Sequence, residues 1–137
     1  MLHSAVRSIC ARAGWKEPKA DEKGVYAFDL EDDISFTLSS PDGERLLARS
    51  ALLAPMAGRD IAGETLASVM RITAARFKRL KAAVALNPET GVLELYALTD
   101  PRGAETPEEF MEKFLNELSF WKAQPALGVS AAFTTRG

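Results

Sequence analysis

The side chains that most often carry catalysis are scarce in this sequence. Its 137 residues include one histidine, His3, and one cysteine, Cys10. A nucleophile–base pair would need His3 to meet Cys10 or a distant serine, and no acidic residue stands near His3 in the sequence to orient its ring. We therefore predict that there are no catalytic residues and that the protein is not an enzyme.

Metal and cofactor sites have equally little support. A structural zinc site takes three or four ligands, which one cysteine and one histidine do not supply. The acidic triplet Glu31-Asp32-Asp33 offers carboxylate oxygens to a hard cation, but it lacks the further ligands and the glycine of a calcium loop. A solvated turn is the favoured interpretation. The sequence has no glycine-rich phosphate-binding motif, so we predict no metal and no cofactor.

Charge and hydropathy narrow the range of partners. The net charge is −2 and the isoelectric point is near 5.5, which disfavours a nucleic-acid partner. Five basic residues scatter around one helix without an aromatic stacking platform, which favours a solvated, ion-paired face: Arg71, Arg76, Lys78, Arg79 and Lys81. No apolar run is long enough to span a bilayer, and Met1 to Trp15 lack the apolar core of a secretory signal. With a single cysteine no intrachain disulfide is possible, so we predict a cytoplasmic protein without membrane insertion.

The elements that would position any site follow from hydrophobic periodicity. Apolar residues recur at helical spacing from about His3 to Ala13, and Gly14 supplies the stop. Alternating apolar residues then predict three strands in an antiparallel meander: Tyr26 to Leu30, Ile34 to Leu38 and Leu46 to Ser50. We predict an α+β fold with one domain over residues 1–124 and a flexible tail over 125–137.

The central helix is predicted from Glu64 to Arg79. One stripe should lie on a sheet: Leu66, Val69, Met70, Thr73, Phe77 and Leu80. A second flank of small or β-branched side chains would let another helix approach closely: Thr65, Ser68, Ile72 and Ala75. This pattern predicts a partner helix, with packing by the protein's own chain as the alternative.

A hairpin and a last helix complete the predicted fold. Ala82, Val84 and Leu86 alternate on one strand, a Pro-Glu-Thr-Gly loop reverses the chain, and residues 92–98 resume the alternation. Thr106-Pro107-Glu108-Glu109 forms a complete capping box. An apolar stripe follows on that helix, with Glu112, Glu117 and Lys122 expected to face water: Phe110, Phe114, Leu118 and Trp121.

The order of these elements, together with two segments, resembles the class I chaperones of bacterial type III secretion, the CesT/SycE-like family. Residues 81–96 are similar to that family's strand, Asn-Pro-x-x-Gly turn and strand. Residues 110–121 are similar to its final helix, with Phe110 near the start and Trp121 at the end. The resemblance covers about Val6 to Gln124.

The resemblance implies a cytoplasmic homodimer that binds the N-terminal region of secreted effector proteins. It would keep that region extended and ready for secretion without hydrolysing ATP. We expect the effector-binding residues to border grooves on the first helix and the meander: Leu2, Val6, Ile9, Phe28, Phe36 and Leu38. We expect the two-fold contact on the central helix and first hairpin strand: Thr65, Ser68, Ile72, Ala75, Ala82, Val84 and Leu86.

Two other function classes stay open from the sequence. One is a regulatory or sensory protein-binding domain of the same fold that has no link to secretion. The other is a small-ligand-binding domain or enzyme that uses the shallow alanine-lined face of the hairpin.

Overall fold

A computed structural model describes residues 1–30, 34–55, 60–76 and 82–127. Within them lie helices α1 (Leu2–Ala13), α2 (Gly63–Arg76) and α3 (Pro107–Lys122). The strands are β1 (Tyr26–Leu30), β2 (Ile34–Ser39), β3 (Leu46–Leu53), β4 (Ala82–Leu86) and β5 (Leu93–Thr99). The α+β class and the predicted order of helix, meander, helix, hairpin and helix are confirmed.

All five strands join in one antiparallel sheet with the order β1-β2-β3-β5-β4. The hairpin enters this sheet through β5, which pairs with β3 from Leu46↔Thr99 to Leu53↔Leu93. The register shifts between Ala51 and Leu53. Because β5 lies between β3 and β4, the two edges of the described sheet are β1 and β4.

The core lies on one face of the sheet. Alternate strand residues are buried there, among them Phe36, Leu38, Leu95 and Ala97. Helices α1 and α3 contact each other, and α3 also contacts β3 and β5. The predicted apolar stripe of α3 is confirmed, because each of its four members is at most 1% exposed: Phe110, Phe114, Leu118 and Trp121.

Both helix-end predictions are confirmed. Gly14 takes a φ of 75°, and the N–H of Trp15 donates to the carbonyl of Cys10 at 2.9 Å, as in a Schellman motif. At the start of α3, the Thr106 hydroxyl accepts from the Glu109 N–H at 3.1 Å, and the Thr106 N–H donates to the Glu109 carboxylate at 2.9 Å. The Thr106 N–H, and after it the Thr106 hydroxyl, lower the pKa of Glu109 by hydrogen bonding to its carboxylate.

Two predicted exposures are wrong. Met70 was placed on the buried stripe of α2 but is 71% exposed. The buried strip of α2 centres on Val69, and the next residue of a helix lies about 100° around the axis. Glu117 was expected to face water but is 6% exposed, because Arg76 of α2 binds it.

Other predictions need an adjustment or fall outside the described residues. Beyond Gln124, where the tail was predicted to begin, Pro125–Leu127 form a 3-10 turn with Leu127 fully buried. Outside the described residues lie the acidic triplet, the helical positions Phe77 and Leu80, the basic positions 78, 79 and 81, and residues 128–137.

The cap of α3 gives a stability prediction. Thr106→Ala should lower the free energy of unfolding by about 1 kcal/mol, since the N–H of Glu109 loses its acceptor. Thr106→Ser keeps the hydroxyl and should stay close to the wild type. Urea denaturation followed by circular dichroism measures both variants, and equal stability of all three proteins would contradict the role of the cap.

Candidate functional site

A partly buried ion pair holds α2 against α3. Arg76 donates from Nε and Nη2 to the two carboxylate oxygens of Glu117, each at 2.9 Å. Trp121 Nε1 donates to the same carboxylate at 3.1 Å, and the Arg76 guanidinium lies 3.4 Å from the ring centre of Phe120. The hydrogen bond to Glu117 raises the pKa of Arg76. We call this group the latch.

Apart from the side that carries Val69 and Arg76, α2 is largely uncovered. Val69 is the one fully buried residue among the described positions of α2. Met70 and, on neighbouring β4, Leu86 are 71% and 43% exposed. Helix α2 and β4 contact each other, and we call their exposed and half-buried residues together the α2–β4 surface.

The structure brings the residues predicted for the dimer contact into this region. Five of them are half-buried: Thr65, Ser68, Ile72, Ala82 and Val84. Ala75 and Leu86 are exposed. An apolar surface at an open sheet edge is the kind of feature that a second protein chain covers.

The residues predicted for effector binding lie on the opposite half of the sheet. Leu2 is half-buried, while the other five are at most 4% exposed: Val6, Ile9, Phe28, Phe36 and Leu38. Phe28 and Phe36 stack with ring centres 4.8 Å apart. These five side chains expose almost no area of their own, although Phe28 and Ile9 contribute to the lining of grooves.

An open groove runs along edge strand β1. It has a volume of about 910 Å³. One wall is the linker that follows α1, and the other wall is β1 together with the start of β2. The lining residues are Trp15, Lys16, Glu17, Pro18, Lys19, Ala27, Phe28, Asp29, Leu30 and Ile34. The ring centre of Trp15 lies 5.8 Å from that of Phe28 and 6.2 Å from that of Phe36. We call this the β1 groove.

Trp15 is the residue that sequence reasoning missed, since it was not among the residues predicted to bind effectors. It also lines a smaller groove of about 280 Å³ between α1 and α3, with Ile9, Met111 and Leu115. An available signal was its place directly after Gly14. An apolar residue there often packs back on the helix end in a Schellman motif.

Leu2 lines a third groove, of about 560 Å³, at the start of β1. Lys23, Val25, Leu47 and Arg49 contribute to its walls. The two ends of edge strand β1 are therefore each flanked by a concave, partly apolar surface.

A polar cluster marks the sheet face that lies away from the helices. Tyr96 donates to the Glu94 carboxylate at 2.5 Å, and Arg49 Nε lies 3.7 Å from the same carboxylate. Burial raises the pKa of Tyr96, and the bond to Glu94 adds to this effect. Tyr96 and Glu94 satisfy each other, while the Arg49 side chain is 44% exposed and also lines the groove at the start of β1.

The residues that could do chemistry are otherwise engaged. His3 Nδ1 lies 3.0 Å from the hydroxyl of Tyr26. Cys10 is 3% exposed, and burial raises the pKa of its thiol, which disfavours the reactive thiolate. Among the residues that the structure describes, no group of three or more His, Cys, Asp and Glu side chains is arranged to hold a metal ion.

Comparison with known proteins assigns the chain to a family. The sequence profile of the Tir chaperone protein (CesT) family matches residues 4–122. The chain belongs to the Tir chaperone family. The family resemblance predicted above is thereby confirmed, and this is a family of chaperones. No curated protein sequence matches the chain.

Solved structures share the fold of this Tir chaperone family member. The Yersinia pestis type III secretion chaperone SycH, solved with a stable fragment of YscM2, has 13% identity and a TM-score of 0.63 over 88% of this chain and 97% of its own. The ExsC–ExsE complex has 17% sequence identity and a TM-score of 0.64, over 88% of this chain and 90% of its own. The ExoU–SpcU complex of the Pseudomonas aeruginosa type III secretion system has 12% sequence identity and a TM-score of 0.61, over 93% of this chain and 98% of its own.

Within the described ranges, no helix combines the length and the apolar character that crossing a bilayer requires.

The latch gives a second stability prediction. Glu117→Ala should lower the free energy of unfolding by about 3 kcal/mol, because it leaves the Arg76 guanidinium without its carboxylate partner and the Trp121 indole without its acceptor. The cost should sit at the low end for a buried pair, since the Arg76 side chain is 20% exposed and can turn toward water. Glu112→Ala, at an exposed position of the same helix, should change stability by less than about 0.5 kcal/mol. Equal losses in chemical denaturation would show that the latch contributes no more than a surface carboxylate.

Proposed function

We propose that this Tir chaperone family member is a dimeric type III secretion chaperone. It binds the N-terminal chaperone-binding region of one or more secreted effectors in the bacterial cytoplasm, and keeps that region extended and competent for secretion without ATP hydrolysis. The observation that carries the proposal is the β1 groove beside an open sheet edge, in a chain that belongs to this family. Structures with the same fold contain bound partners, such as the YscM2 fragment on SycH.

The β1 half of the molecule fits an extended client. An unfolded segment adds a strand to an open edge through backbone hydrogen bonds, and its apolar side chains enter pockets on one face. Here the edge belongs to β1, and the pocket walls include Trp15, Leu30 and Ile34. A client that orders only on binding can cover a large surface at modest affinity, which suits later release.

The α2–β4 surface fits a second copy of the chain. Its exposed apolar side chains, Met70 and Leu86, accompany small residues that allow close approach. A two-fold contact between identical surfaces would cover them and pair the free edge of β4. Clients would then bind at the β1 edges, away from the dimer contact.

The dimer prediction has a matched control within the sheet. Leu86→Glu should convert a particle of about twice the chain's 14.9 kDa into monomers, because it places a charge in the two-fold contact. Leu98→Glu changes a side chain of similar exposure, 44% against 43%, on the opposite face of the sheet from Leu86, and should remain dimeric. Light scattering coupled to size exclusion reads the masses. A monomeric wild type at micromolar concentration would refute the dimer.

The client prediction uses the accessible member of the predicted binding set. Leu2→Asp should reduce capture of effectors from the native cell, since it puts a charge into the groove at the start of β1. Ser4→Asp introduces the same charge at an exposed position of the same helix turn and should capture normally. Limited proteolysis of the captured complex should protect an N-terminal effector fragment, with or without ATP. Protection of a folded effector domain instead would argue for a different kind of partner.

A further inference from the structure

The start of the β1 edge is closed by a turn from the same chain. Asp21 donates its N–H to the carbonyl of Val25 at 2.9 Å, and its carboxylate accepts the N–H of Val25 at 2.9 Å. The N–H of Lys23 donates to the same carboxylate oxygen at 2.8 Å. Both backbone groups of Val25 are therefore occupied, and no added strand can pair there.

The direction of the next peptide groups follows from this bonding. In an antiparallel strand the N–H and C=O of one residue point to the same side, and the side alternates from residue to residue. Val25 bonds Asp21, while pairing with β2 begins at Tyr26↔Leu38. Ala27 and Asp29 stand two and four residues after Val25, so their N–H and C=O groups point to the same side as those of Val25, which is the open side. Within the described part of the strand, Tyr26–Leu30, the pairing edge thus consists of two residues.

Side chains alternate across the sheet in the same way. A client residue beside Phe28 would lie on the inner face and enter the β1 groove between Phe28 and Trp15. The adjacent client residue, beside Asp29, would lie on the outer face. Cross-strand neighbours have Cβ atoms about 5 Å apart, so the Asp29 carboxylate would be its nearest charge.

Asp29 is suited to select that neighbour. Its carboxylate is exposed and held by the Ser35 hydroxyl, which donates to it at 2.6 Å. Within the described part of the chain it has no ion-pair partner. The other charged residues of the groove, Lys16, Glu17 and Lys19, stand on the linker wall across from the strand.

We propose that the β1 edge binds a short client strand in which an apolar residue, seated in the β1 groove, is directly adjacent to a lysine or arginine that pairs with Asp29. The Asp21 turn limits this strand to the few residues that can pair with Ala27 and Asp29. The inference rests on the proposed function and adds to it the chemistry of the client segment.

A random-peptide phage library panned on the full-length protein tests the charge rule. Wild type should enrich peptides with an apolar residue next to Lys or Arg, and Asp29→Lys should enrich Asp or Glu at that place. A lysine peptide selected on wild type should bind Asp29→Lys about tenfold more weakly, because an attractive cross-strand pair becomes repulsive. Glu89→Lys, at an exposed site in the β4–β5 loop, should leave the selection unchanged. Asp29→Asn serves if the reversal impairs folding, and should simply lose the basic preference.

Ala27→Pro tests the edge itself. Proline removes the outward N–H and obstructs the open side, and an edge strand tolerates it because no bond to β2 is lost. Peptides selected on wild type should lose at least about tenfold in affinity, with the melting temperature retained. Edge-dependent binding without a charge preference would overturn the Asp29 rule, and undiminished binding to Ala27→Pro would overturn the edge while leaving client binding intact. If wild type enriches no peptide, the inference fails, while capture of effectors by wild type decides the proposed client binding separately.

Discussion

The pairing of β3 with β5 is the constraint on which the arrangement of surfaces depends. It joins the N-terminal meander to the C-terminal hairpin and makes one sheet with β1 at one edge and β4 at the other. Had the hairpin packed as a separate unit, two small sheets would have left four edges. The observed ladder leaves two, at opposite ends of the molecule. Under the proposed function, one edge would meet a copy of the chain while the other meets a client.

The helices on the inner face make the two halves different. On the β1 side, α1 and α3 pack together and Trp15 lies against Phe28 and Phe36, so the surface is concave above a cluster of aromatic side chains. On the β4 side, α2 touches the body along one narrow strip and is fastened by the latch. Burying that ion pair carries a desolvation cost, which the bidentate geometry and the Trp121 indole offset. The latch therefore fixes where the outer side of α2 points.

Much of the fold could be predicted because its signals are local. The hairpin follows from residue alternation around Pro88 and Gly91, and the start of α3 from four consecutive residues. The candidate site was harder to predict. Val6 and Leu38 were expected, from the family resemblance, to border a groove, but both are fully buried. Periodicity identifies the buried side of an element and cannot distinguish a groove wall from the core beneath it. Glu117 was misplaced for a related reason, since its partner Arg76 is distant in sequence.

By itself the sequence determined the helices and strands, the class of fold, the capping of the helices and the family. Propensity, turn chemistry and short-range patterns each depend on residues that are close together in the chain. Tertiary structure alone decided that β5 inserts beside β3, that Arg76 reaches Glu117, that Met70 is exposed and that Trp15 walls a groove. Each of these depends on contacts between residues far apart in the chain. Their geometry is set by how the elements pack, and no window of adjacent residues contains that information.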